Sequence, residues 1–123
     1  ILNDDASISI QTAVVRQPEG NSGTTAYQYT IIRNGYLSNA VTATWGVSGG
    51  TTAPADGTDC VGGAFPHGSG SFPADGITTT QIVSVDVQGD TTVELDENFT
   101  LTLSNPSFGA IIGTATRGGI IEN

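Results

Sequence analysis

The sequence has no lysine and no methionine, a single cysteine, histidine and tryptophan, and only three basic side chains, all arginine, against twelve aspartates and glutamates. The resulting net charge of −9 argues against nucleic acid or an anionic membrane as partner, since both need a basic face to displace counterions. The lone Cys60 excludes an internal disulfide and a cysteine-based zinc cluster. Uninterrupted apolar runs are only a few residues long, far short of the ~20 that cross a bilayer as a helix, so no direct membrane insertion is expected. No basic stretch followed by an apolar one opens the chain, as a secretory leader would.

What is present can still fold. Apolar residues make up 37% of the chain and charged ones only 12%, so this is not an acidic tail too polar to collapse. The 123 residues suit one domain. The polar share is dominated by 18 threonines, 17 glycines and 10 serines, a mix that favours strands joined by tight turns.

Period-two alternation predicts strands over 6–15, 24–33, 40–47, 79–87, 98–104 and 110–122. The glycine-rich stretch 49–76, with 59–64 and 69–72 as short candidates, supplies the seventh. Inward rows are Ile8 and Ile10; Tyr27, Tyr29 and Ile31; Val41, Ala43, Trp45 and Val47; Val83, Val85 and Val87; and Phe99, Leu101 and Leu103. Seven strands separated by turns predict an all-β fold, an immunoglobulin-like antiparallel β-sandwich. The chain opens Ile1-Leu2-Asn3-Asp4 and closes Ile120-Ile121-Glu122-Asn123, chemically matched four-residue stretches. Residues 1–5 therefore read as the tail of a preceding module and 6–123 as a single domain, with neighbouring copies of the same module as partners.

Loops of such a sandwich alternate between its two ends, and the acids collect at one of them. Glu19, Asp56, Asp59, Asp90, Glu94, Asp96, Glu97 and Glu122 share a pole, whereas Asp75 occupies a loop at the other. Like charges a few ångströms apart repel by on the order of a kcal/mol or more per pair near a surface. Hard oxygen donors in irregular loops, with no histidine or thiolate among them, suit Ca²⁺ better than Mg²⁺. A solvated acidic face that binds ions only diffusely is the competing reading. The densest stretch, 89–98, lacks EF-hand spacing, so a site here is assembled from several loops.

Three segments carry a family pattern: Pro18-Glu19-Gly20-Asn21-Ser22-Gly23, then Gly57-Thr58-Asp59, and above all the run from Gly89 through Leu95-Asp96-Glu97-Asn98-Phe99 to Asn105-Pro106. Over nearly its whole length the chain resembles the Calx-beta module. That resemblance implies an immunoglobulin-like sandwich of the kind used in sodium/calcium exchangers, an integrin tail and repeat arrays of bacterial surface proteins. It also implies Ca²⁺ at the distal loops, with carboxylates at Glu19, Asp90, Glu94 and Glu97 and the backbone carbonyl of Thr92 as ligands. Asp59 matches a recurrent acid that either contributes a ligand or braces its loop. The strongest calcium-binding members carry acids where this chain has Gly49 and Gly89, and further acids where it has Glu122-Asn123. One or two weakly held ions are therefore expected rather than a full cluster, and Asp4 and Asp5 would serve the preceding module.

No catalytic constellation surrounds His67, and Cys60 reads as a small apolar filler. Asn98-Phe99-Thr100 is a glycosylation sequon whose asparagine is expected to face outward. The expectation is a non-enzymatic structural module of an extracellular adhesin or surface fibre, with Ca²⁺ rigidifying the junction to the next module. Two alternatives are a head-to-tail filament subunit joined by addition of the N-terminal strand, and a calcium-sensing regulatory domain.

Overall fold

Among the described residues, alternation of inward and outward side chains builds nine strand segments: β1 Ala6–Ile10, β2 Val15–Pro18, β3 Thr24–Gly35, β4 Val41–Gly49, β5 His67–Phe72, β6 Thr80–Gln88, β7 Glu97–Ser104, β8 Ala110–Ile112 and β9 Thr116–Glu122. This is a computed structural model that describes residues 6–35, 40–50, 53–107 and 110–122. The expected tail at 1–5, with Asp4 and Asp5, lies outside them. One sheet has the order β6-β3-β1-β8 and the other β2-β9-β7-β4-β5, and their inner faces form the core of a β-sandwich. The five inward rows read from the sequence are buried there, except that Trp45 is half-buried at the margin.

The expected strands over 6–15 and 110–122 are each split between the two sheets, which turns seven strands into nine segments. β1 pairs with β8 and β2 with β9, both in parallel, while the other strand pairs are antiparallel. The parallel pairs have a simple cause. With seven strands of alternating direction, the first and the last run the same way, so they must be parallel wherever they touch. They change sheets at the same height, where Gly113 N–H donates to Ile8 O (2.9 Å) and Ile10 N–H to Thr114 O (3.1 Å). β1 is hydrogen-bonded on both edges within its own chain, to β3 and to β8, so adding it to a neighbour would require exchanging it out of this sheet.

A second correction falls at 59–64. The expected short strand is a 3₁₀ turn, Gly57–Asp59, followed by a single bridge at Cys60 and a tight reversal. Gly62 and Gly63 sit at φ +89° and +76°, left-handed values that end any strand. A third concerns Asn98. Gly50 and segment 53–55 lie alongside the start of β7, so Asn98 N–H donates to Ala53 O (3.0 Å) and Asn98 O accepts from Gly50 (3.0 Å) and Ala55 (2.7 Å). The side chain expected to face outward is half-buried, with its Oδ1 buried.

The core uses its polar atoms economically. Tyr27 and Tyr29 pack edge-on against Phe99, at centroid distances of 5.6 and 6.5 Å. Their hydroxyls donate to Gln17 O and Gly118 O, tying β3 in one sheet to β2 and β9 in the other. At the far end of the same row lies Arg33, only 1% exposed. Its guanidinium lies 5.3 Å from the Phe72 ring centroid, donates to Pro73 O and Thr78 O, and is 3.9 Å from the Asp75 carboxylate. An interior arginine persists because it is paired and hydrogen-bonded. Gly119 lies beneath Phe99 so closely that a Cβ there would overlap the ring. Gly119→Ala is expected to cost about 1–3 kcal/mol, seen as a lower urea midpoint at unchanged slope.

Candidate metal centre

Three loops and the end of β9 meet at one pole, and backbone contacts fix each before any side chain is considered. Glu19 directly follows β2; its N–H donates to Glu122 O (3.0 Å) and its carbonyl accepts from Thr25 Oγ1 (3.2 Å). Gly89 packs so tightly here that an added Cβ would lie 2.8 Å from Glu19 O and 2.9 Å from Gly20 O. The chain leaves Glu19 through Gly20 and Gly23, both at positive φ. Segment 53–61 crosses the pole, held to β7 by the bridge of Pro54 to Asn98 and to β6 by that of Cys60 to Val87. Asp56 caps the 3₁₀ turn by accepting from Thr58 N–H (2.8 Å), and Asp59 Oδ2 returns the contact by accepting from Asp56 N–H (2.9 Å).

This scaffold brings carboxylate oxygens of Glu19, Asp59 and Glu94 within 4.8 Å of one another. Glu19 is only 4% exposed, and its Oε2 has no hydrogen-bond partner. Burial, then the charges of Asp90, Glu94, Asp59 and Glu97, push its carboxyl up to about 7. Glu94 is raised by burial and by Asp90, Asp59 and Asp56; Glu97 is raised by burial and by Asp59, Glu94, Asp56 and Asp90. A buried acid that titrates late among like charges lacks a positive counterpart.

Of the six residues expected to ligate, Glu19, Asp59 and Glu94 therefore form the nucleus. Asp90 and Thr92 line a cleft of about 420 Å³ with Glu19 and Glu94. One Asp90 oxygen accepts from Thr92 N–H (2.9 Å), which shapes that loop. Glu97 lies on the other side of Glu94, in a cleft of about 240 Å³ with Ala53, Pro54 and Leu95, and its Oε1 is buried without a hydrogen-bond partner. Asp59 both braces its loop and faces the cluster. Arg16 draws two other polar acids aside, lying 3.4 Å from Asp96 and 3.3 Å from Glu122. Sequence reasoning missed the covering role of 53–55, where Ala53 takes φ 45°; no alternation or turn signature marks it.

Neither residue with reactive potential adds a ligand to the cluster. Cys60 is buried, and burial followed by Asp59, Asp56 and Asp86 pushes its thiol up to about 11, the opposite of an activated thiolate. His67 opens β5 on an exposed edge.

Several solved structures share this architecture. The apo-form Calx CBD1 domain superposes with a TM-score of 0.81 at 22% identity, over 96% of both chains. CBD12 from CALX1.2 and the calcium binding domain CBD12 of CALX1.1 follow at 0.78 and 0.77, each 23% identical, over 94% of this chain and 43% of theirs. The fold is that of the Calx domains. No family model and no curated protein matches the sequence. At this identity the likeness is one of fold, and the case for a metal rests on the carboxylates themselves.

A carboxyl whose pKa is raised on folding makes the native state bind more protons than the unfolded chain above the unfolded pKa. Stability then falls as pH rises. With Glu19 moved from 4.5 to about 7, cation-free protein should lose about 1–3 kcal/mol between pH 4.5 and pH 7 and little beyond. Glu19→Gln should flatten that slope. Urea unfolding in chelator at pH 5 and pH 8 measures both.

Proposed function

We propose that this chain is a non-catalytic calcium-binding β-sandwich module. The observation that carries the reading is the Glu19 carboxylate, 4% exposed and with an unpartnered oxygen, held beside Asp59 and Glu94. Ca²⁺ would supply the positive charge that no side chain there provides. Glu19, Asp59 and Glu94 would hold it, with Asp90, the carbonyl of Thr92 and Glu97 completing the oxygen set from the flanking clefts. These are all hard oxygen donors on loops of unequal length, the setting Ca²⁺ tolerates and Mg²⁺ does not. The calcium binding domain CBD12 of CALX1.1, similar in fold, lends support.

One or two ions fit better than a larger cluster. Where stronger members of the resembling family carry acids, a side chain at Gly49 would meet Ala55 O at 2.9 Å and one at Gly89 would meet Glu19 O at 2.8 Å. We place the module in an extracellular adhesin or surface fibre, its ion stiffening the joint with the next copy. The acidic, lysine-free composition and the matched terminal stretches support this.

Calorimetric titration with Ca²⁺ should give saturable heat and a higher melting temperature, about 2.7 kcal/mol of added stability at a hundredfold excess over Kd. Mg²⁺ should do much less. Glu94→Gln should weaken Ca²⁺ binding by on the order of tenfold. No heat together with an unchanged melting temperature would sink the reading.

A further inference from the structure

The ion pole carries two exposed aliphatic side chains that the core does not use. Val93 is 98% and Leu95 82% exposed, one on each side of Glu94 in sequence, and each borders one of the two clefts that Glu94 lines. Both sit among acids at the cleft edges, where a docked apolar side chain would take them out of water.

The opposite pole offers a match. Its loop between β5 and β6 is a rigid turn in which the Asp75 carboxylate accepts from Ile77 N–H (2.9 Å), Thr78 N–H (2.8 Å) and Thr78 Oγ1. Buried Arg33 anchors that turn through Pro73 O and Thr78 O. These contacts hold the Asp75 carboxyl down at about 2, so it is ionised at neutral pH. Two residues on, Ile77 is 79% exposed. Among the described residues Asp75 is the sole acid in the loops of this pole.

We infer that the ion pole docks the Asp75–Ile77 turn of a second copy of this chain. Ile77 packs against Val93 and Leu95, and the incoming Asp75 carboxylate faces the cation held by Glu19, Asp59 and Glu94. This rests on the calcium reading above. The complementarity is of charge and of exposed apolar side chains. The clefts on either side of Glu94 leave an ion held there, which takes six to eight oxygen ligands, open to one more carboxylate, and the second copy brings an anionic turn. Without the cation, two chains of net charge −9 would bring an acid up to an acidic cluster and repel. The two faces differ and lie at opposite ends of the sandwich, so the contact is heterologous and propagates as a linear chain rather than closing a dimer.

Sedimentation velocity of the 123-residue chain, in Ca²⁺ and in chelator over a range of protein concentrations, tests this alongside calorimetry. Wild type should form concentration-dependent oligomers in Ca²⁺ only. A head variant, Val93→Ser with Leu95→Ser, and a tail variant, Asp75→Asn with Ile77→Ser, should each weaken association at least tenfold. Val93, Leu95 and Ile77 are exposed; Asp75→Asn keeps an oxygen for the Ile77 and Thr78 amides but removes the charge beside buried Arg33, so circular dichroism and urea unfolding verify that both variants fold. An equimolar mixture of the two should give dimers and nothing larger, because each retains one competent face. Calcium heat with a monomeric wild type would overturn the docking and leave the ion reading standing; absence of calcium heat would overturn both. Oligomers indifferent to either variant, or a mixture that stays monomeric, would also overturn it.

Discussion

The arrangement of the acidic pole depends on one constraint, that Glu19 cannot leave it. A surface glutamate surrounded by acids would ordinarily swing into solvent. Here the backbone on both sides is already committed: its amide closes the β2–β9 ladder onto Glu122 and its carbonyl is clamped between Thr25 Oγ1 and Gly89. The hydroxyl of Tyr27 fixes the preceding strand, β2, through Gln17 O. The carboxylate is thereby held under the 53–61 crossing with Asp59 and Glu94, where repulsion that would disperse side chains on a flexible loop is instead stored in the fold. A cation is the natural release of that tension.

How much of this was legible in the sequence follows from what each pattern encodes. Alternation reports which face a side chain takes, and it gave the inner rows of β3, β4, β6 and β7 correctly because those strands stay in one sheet. It cannot report that a strand changes sheets, so the first and last strands read as continuous. The same parity that puts Tyr27, Tyr29 and Ile31 inside also puts Arg33 inside, a signal that charge conceals. Loop order alone located the acidic pole, because alternate connections of a sandwich must share an end. It could not rank the acids. Arg16 pairs with Asp96 and Glu122, a proximity that only the folded chain creates, and Thr58 occupies an Asp56 oxygen.

Asn98 shows the opposite limit. By alternation it belongs on an outer face, and by composition it heads a sequon. The segment that covers it comes from a glycine- and threonine-rich loop with no periodic signal, joined to it by three backbone hydrogen bonds. The outer face of a strand is exposed only if no loop crosses it.

The parallel pairing of the first and last strands has a mechanical consequence. β1 enters at one pole and β9 leaves at the other, and the seven paired positions of β1 with β8 and β2 with β9 lie side by side along that axis. Tension applied between the poles pulls these strands past each other, so their hydrogen bonds share the load in shear and yield together instead of unzipping one at a time. Force along the long axis meets the sandwich in its most resistant direction.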